Sequence, residues 1–524
     1  MADQRRTVAF HPQGEDQEAV AKHSAAPQAV DTYGGKVRLR WDAAAAVTAY
    51  GQMPYFIEFL KTAGLFDDWV ADCPLNYRSP NAPAERDVLG TLLLSLLAGH
   101  CRYAHISSIR SDGVNPQLLG MSKIVSEDSA RRAFQGADSE ACRDWLREHL
   151  QRTYEALLEE PWILDVDSSV KPLYGRQQGA ERGYNPRKPG RPSQVYHSYF
   201  VANLRLVLEV EVQPGNQTAS YYAQPGLWEF LDALEPGRRP ALLRGDVGWG
   251  SERMMGEAEQ RALPYLFKLR QSRGVKGLLK RLFHSEEWEP AGGGWQGIRT
   301  ELMLAGWSRR RSVVVLRWQI RGDLALSRSE TAAPQQLSLG LAEIVDHGVL
   351  YEYAVLVTSL DEEVATIAQH YRDRADAENN FDELKNQWSW AGFTTQDLKR
   401  CQILARMGAL VYNWWTLFTR LVIPDKHAEA ITTRPLLLHG IARRTRHGHQ
   451  TTVTITSLHA RAPLMKAALQ RGSAFLQWVR TTAEQLTRAQ RWRLILSWIF
   501  RRFLCGRVVG TTSWVTDAPS NCRF

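Results

Sequence analysis

Residues 371–385 carry Tyr371, Arg374, Glu378 and Lys385 within one uninterrupted stretch. At about 100° per residue the four fall within an arc of roughly 60° on a single helix face. Val364 and Ile367 share that face one or two turns earlier. A face that begins apolar and then presents an acid and two bases has charges in need of partners, and a metal ion with phosphates would supply them. Arg374 and Glu378 can also pair with each other at i,i+4, the ordinary use of such charges on a surface helix. No Pro or Gly interrupts residues 361–390. The run Ser359-Leu360-Asp361-Glu362 fits a capping box that would start the helix there.

Two more acids stand at the ends of short apolar runs. Asp167 closes Trp162-Ile163-Leu164-Asp165-Val166-Asp167, and Asp246 closes Ala241-Leu242-Leu243-Arg244-Gly245-Asp246. Two-metal phosphodiester chemistry needs carboxylates from separate elements to hold cations about 4 Å apart. Oxygen ligands without a His/Cys cluster suit Mg2+ or Mn2+. Asp165 competes with Asp167, since residues two apart in a strand point to one sheet face. Asp167 is preferred because Ser168 and Ser169 follow it where the strand would open into a loop. Asp323, in a second Arg-Gly-Asp, ranks below Asp246 because it lies away from the expected core sheet.

These residues need a scaffold. After residue 161 the expected order is three strands, a helix, a strand, a helix and a strand, with residues 195–211 forming a hairpin that turns near Asn203. The reading divides the chain into a flexible tail (1–35), a helical DNA-binding region (36–158), an α/β core (159–270 and 359–395), a β-rich insertion (271–358) and a helical C-terminal region (396–524). Residues 126–134 have the look of a helix-turn-helix recognition helix. Residues 473–503 read as one amphipathic helix.

Bulk properties agree with an anionic partner. The 524-residue chain has a net charge of +9, and a basic balance of this kind favours polyanions. Its six Cys form no C-x-x-C pair, which argues against a zinc ribbon or a disulfide framework. The longest apolar run, residues 88–98, is too short to span a bilayer. A cytoplasmic location without membrane association is expected. Eighteen Trp can build cores or offer flat faces for bases.

Taken together, these motifs resemble the bacterial insertion-sequence DDE transposases of the cut-and-paste group marked by Y-x-x-R-x-x-x-E-x-x-x-x-x-x-K. Tyr371, Arg374, Glu378 and Lys385 fit that spacing. Val166-Asp167-Ser168-Ser169-Val170 is similar to the first-aspartate motif, and Leu243-Arg244-Gly245-Asp246-Val247-Gly248-Trp249 to the second. The resemblance implies a ribonuclease-H-like mixed sheet flanked by helices and interrupted by the β-rich insertion. It further implies that Asp167, Asp246 and Glu378 bind the metals and that Tyr371, Arg374 and Lys385 contact phosphates. Residues 183–192 resemble the basic loop of this group, whose Arg187, Lys188 and Arg191 would meet the DNA backbone or enter a narrow minor groove. An insertion Trp, one of Trp288, Trp295, Trp307 and Trp318, would stack on a flipped base. The implied partners are double-stranded DNA, both terminal inverted repeats and target, and a second copy of the chain on that DNA. The implied setting is a bacterial, nucleoid-associated protein. A metal-dependent nuclease that does not join strands, or a non-catalytic DNA-binding derivative, are the alternatives.

Overall fold

The computed structural model describes residues 27–42, 44–77, 79, 81–217, 219, 226–320, 344–346, 349–424, 428–456, 460–482, 485–504 and 509. Asp323 and residues 1–26 lie outside them. Part of the expected tail is ordered into an exposed hairpin, Gln28–Thr32 against Gly35–Leu39.

Helices dominate up to residue 160. Met53–Ala63 begins with Pro in its first turn and stops at Gly64, whose φ of 68° is one that few L side chains adopt. Glu85–Leu97 is buried from Asp87 through Leu97, which explains an apolar run without a polar stripe. Asp138 caps Ser139–Arg152 by accepting from the Glu140 and Ala141 amides at 2.7 and 3.0 Å. The expected recognition helix is only Glu127–Arg132, capped by Ser126. Arg400 donates to its Arg131 carbonyl at 2.7 Å, tying it to the C-terminal half of the chain.

One large mixed sheet runs through the centre. Its strands are ordered Leu206–Pro214, Ser193–Val201, Ile163–Pro172, Leu242–Gly245, Tyr265–Lys268, Val349–Thr358, Arg311–Ile320, Trp295–Leu302 and Glu289–Pro290. The first three are antiparallel. Leu242–Gly245 lies parallel to both Ile163–Pro172 and Tyr265–Lys268. The β-rich stretch expected between residues 271 and 358 is present, but it extends this same sheet: Leu356–Thr358 pair with Leu266–Lys268. Its first element is the helix Arg273–Leu282.

The edge strand Leu206–Pro214 is covered by Leu398–Val422, a helix buried around nearly its whole circumference. Asn413 of that helix completes the edge: its amide accepts from Val207 N and donates to Val207 O, both at 2.8 Å. Arg406 of the same helix meets the buried Glu209 at 2.8 Å, and Arg147 from the N-terminal region reaches both Glu209 and Glu211. A buried ionic cluster thus joins the two helical regions to the sheet.

The helix bearing Tyr371 to Lys385 is Val364–Gln387. It starts after Glu363, not at the expected capping box, because Ser359 is still engaged with the sheet. The Ser359 hydroxyl accepts from Tyr265 N at 3.0 Å, and Ser359 N donates to Tyr265 O. Val364, Ile367 and Ala368 pack on Leu242, Leu266, Val314, Leu316 and Leu356. This apolar first third seats the helix against the sheet and aims its charged remainder along the strand ends. The expected single helix over 473–503 is instead two, Ala462–Thr482 and Arg488–Ile499. Thr487 caps the second in a capping box with Gln490.

Candidate active site

Parallel pairing places the first two acids side by side. Val166 is the last residue of its strand in register with Gly245. Asp167 and Asp246 therefore follow at the point where the two strands separate. The first strand does not open into a loop there, since it pairs antiparallel with Ser193–Val201 as far as Pro172. The Asp167 carboxylate accepts from Ser168 N at 2.8 Å, and Asp246 accepts from Gly248 N at 2.9 Å. Gly245 is required by packing, because a Cβ would stand 2.7 Å from the Trp249 Cβ.

Asp165 has a different fate from Asp167. It is fully buried and held by Arg244 through bonds of 2.6 and 2.7 Å. Arg244 also donates to the His370 carbonyl at 2.7 Å. One buried guanidinium thus connects the strand of Asp167, the strand of Asp246 and the helix of Glu378. Sequence reasoning overlooked Arg244. The available signal was a cation inside a four-residue apolar strand, which must be paired if the strand is central.

Arg374 occupies the middle of the acidic group. Burial opposes its charge, yet Asp167, Asp246, Asp165 and Glu378 together hold its pKa above the usual arginine value. It donates to Glu378 at 2.9 Å, and its buried Nε has no partner among the described residues. Desolvation pushes the Asp167 carboxyl up to about 7; Arg374 opposes that rise, while Asp246 and Glu378 add to it. Two neighbouring carboxylates in a desolvated recess need positive charge, and an all-oxygen donor set suits a hard divalent cation. Glu378 itself is largely exposed and turned to Arg374. Among the described residues no three acids, His or Cys form a ready-made metal cage. A cation held by all three acids would require Glu378 to leave Arg374.

The remaining residues border this group. The Lys268 ammonium lies 5.7 Å from the Tyr371 ring centroid. Lys385 is half-buried, and its pKa is lowered by burial and then by Arg187, with Asp382 and Asp167 opposing. The basic loop thus brings Arg187 into range of Lys385. Lys188 and Arg191 sit elsewhere, over the exposed Tyr174 ring at 4.9 and 4.7 Å. Lys171, which the sequence did not single out, is buried beside Lys385 and Trp390. It donates to Tyr196 Oη at 3.2 Å and to the Gly392 carbonyl at 2.5 Å. His197 is buried in the sheet, and His370 meets Glu362 at 3.3 Å.

Comparison with known proteins places the chain in a class. It belongs to the DDE transposase family: the family model described as transposase DDE domain group 1 matches residues 66–474. No curated protein matches the chain. Among solved structures, a cryo-EM structure of the piggyBac transposase synaptic complex with hairpin DNA is similar at 12% identity and a TM-score of 0.36, over 83% of this chain and 82% of that chain. Among the described residues, no helix is long and apolar enough to cross a membrane.

Proposed function

We propose that this transposase binds terminal inverted repeats, nicks DNA by hydrolysis and uses the freed 3′-hydroxyl to join strands. Asp167, Asp246 and Glu378 are the proposed ligands for Mg2+ or Mn2+. The observation that carries the reading is the pairing of Asp167 and Asp246 at adjacent strand ends, facing Arg374 on the helix that also carries Glu378. The order of the five strands from Leu206–Pro214 to Tyr265–Lys268 supports a ribonuclease-H-like core with residues 271–358 as the insertion. Bound divalent cations would supply charge neutralisation and an activated oxygen nucleophile.

The chain's own residues would do the rest. Arg374 offers a guanidinium fork to a phosphate once Glu378 releases it. Lys385 and Arg187 add positive charge beside the scissile phosphate, where charge builds in the transition state. Tyr371 offers a hydroxyl donor on a rigid ring. Hydrolysis places a water oxygen on phosphorus and expels the 3′-oxygen as a hydroxyl. Joining exchanges one phosphodiester for another, so neither step needs an external energy source.

Of the four insertion Trp, Trp295 and Trp318 suit base stacking best, because the other two are covered. Trp288 lies under Arg317 at 3.9 Å, and Trp307 is buried beneath Arg311. Trp295 and Trp318 stack on each other across the strands at 6.3 Å and remain partly exposed. They flank the Gly292–Gly294 turn, which Arg372 of the long helix touches at the Ala291 carbonyl, 2.7 Å away.

The deciding experiment is a strand-transfer assay with pre-cleaved repeat ends and Mn2+. Joined product that vanishes in Glu378→Ala is expected. No joined product from a chain that cuts intact repeat DNA would support the nuclease alternative, and unchanged excision by Glu378→Ala in cells would end the catalytic reading. The same assay addresses a dimer on DNA if both ends must be supplied together.

A further inference from the structure

A two-stranded ribbon is left over once the site is built. Ile441–His447 and Gln450–Thr456 pair antiparallel through Gly448, whose φ is 56°. At the base, Ala442 and Arg443 pair with a third strand, Val47–Thr48, and Arg444 N donates to the Ala46 carbonyl at 2.8 Å. Three residues beyond that base extend about 10 Å. Register puts Arg443, Thr445, His447, Gln450, Thr452 and Thr454 on one face, all exposed, and Arg444, Arg446 and Thr451 on the other, where Ala442, Val453 and Ile455 lie toward the base and only Arg446 and Thr451 are exposed. Residues 441–456 contain no Asp or Glu. Among the described residues, none of the three Arg has an ion pair. Such a ribbon buries little apolar surface, so core packing does not account for it.

We propose that this ribbon is a second duplex-DNA contact, lying in the major groove with Arg443, Arg444 and Arg446 on phosphates. A major groove about 12 Å wide admits a two-stranded ribbon. Cations on both faces match phosphates on both walls. The threonine hydroxyls and His447 can donate to phosphate or to base edges.

The ribbon is also held in register with the active site. The helix before it, Ala430–Leu437, is fastened to the helix of Glu378. Glu383 accepts from Ala430 N at 2.9 Å, and Gln387 accepts from Ile431 N at 2.6 Å. The Trp388 that follows the helix lies under Arg434, 4.0 Å away. Duplex gripped by the ribbon is therefore fixed relative to the candidate catalytic residues. The proposal rests on the transposase reading for the choice of DNA as occupant, and on geometry for the rest.

The test uses the full chain, without divalent metal, on a short duplex of random sequence titrated with salt. Replacing Arg443, Arg444 and Arg446 by Ala should make the slope of log affinity against log salt shallower by about two to three, with binding at least tenfold weaker near 0.1 M salt. Replacement of the same three by Lys should preserve the slope. An Ala variant with the wild-type slope overturns the proposal, as does equal loss in the Ala and Lys variants, which would signify a structural role. Cleavage is scored separately with Mn2+ on repeat-containing duplex. A wild-type chain that never cleaves counts against the catalytic reading alone, and the ribbon still stands if its Ala variant shows the shallower slope.

Discussion

Arg244 grips Asp165 through two bonds of 2.6 and 2.7 Å with both side chains buried, and its third bond holds the backbone of the long helix at His370. This contact sets the spacing between the strand pair carrying Asp167 and Asp246 and the helix carrying Glu378. Removing one partner leaves an uncompensated buried charge. Arg244→Met should therefore lower stability by about 3–5 kcal/mol, whereas the double variant Arg244→Met with Asp165→Leu should recover much of that loss. Chemical denaturation of the parent and the two variants checks this. A single variant as stable as the parent would mean that the pair carries no structural burden.

The acidic recess should bind divalent cations in the folded state only. At a hundredfold excess over Kd, Mn2+ should stabilise the wild-type chain by about 2.7 kcal/mol. Thermal unfolding with and without Mn2+ is the measurement. Asp167→Asn with Asp246→Asn should abolish the shift, and Asp165→Asn should not, because Asp165 is already committed to Arg244. A shift that persists in the double variant would place the cation elsewhere.

Lys171 should leave a pH signature. Burial lowers its pKa from the ordinary lysine value to about 8. The unfolded chain therefore binds more protons than the folded one between about pH 8 and 10.5, and stability gained from this group rises with pH across that window. Below pH 8 the cost is fully present. The difference in unfolding free energy between wild type and Lys171→Met should move by up to about 3 kcal/mol between pH 7 and 10.5, in favour of wild type at the higher pH. A difference that stays flat would show that Lys171 titrates normally.

Glu209 is the hub of the cluster with Arg147 and Arg406, and desolvation is outweighed there by the two guanidinium groups, so its pKa is lowered. Glu209→Gln should destabilise the fold by about 3 kcal/mol by removing the nearer carboxylate of buried Arg406, which keeps only Glu211 at 3.7 Å. Denaturation at neutral pH measures it. Because this group's folded pKa is depressed, its stabilisation should also fade as pH drops through the acidic range, and only in the wild-type chain.

Local rules made much of the site legible. The spacing from Tyr371 to Lys385 is a property of one helix, and helical period alone aligns the four residues. The strand order after residue 161 followed from alternating apolar runs and turns, and the hairpin near Asn203 stands where expected. Other features depended on partners distant in sequence. Ser359 looks like a helix cap until Tyr265 claims its hydroxyl. The sequence favours Asp167 over Asp165 for a loop that does not form there, and Arg244 from a neighbouring strand is what separates the two.

From sequence alone came the residue types, their order and the helix face on which four of them lie, because these obey short-range geometry. Tertiary structure decided which carboxylates stand free and which are consumed. It put Leu242–Gly245 parallel to Ile163–Pro172, set Arg374 among the acids, carried Arg187 toward Lys385 and left the arginine ribbon exposed. The physical reason is that desolvation and ion pairing are set by every chain segment that converges on a group, and chain order does not record which segments converge.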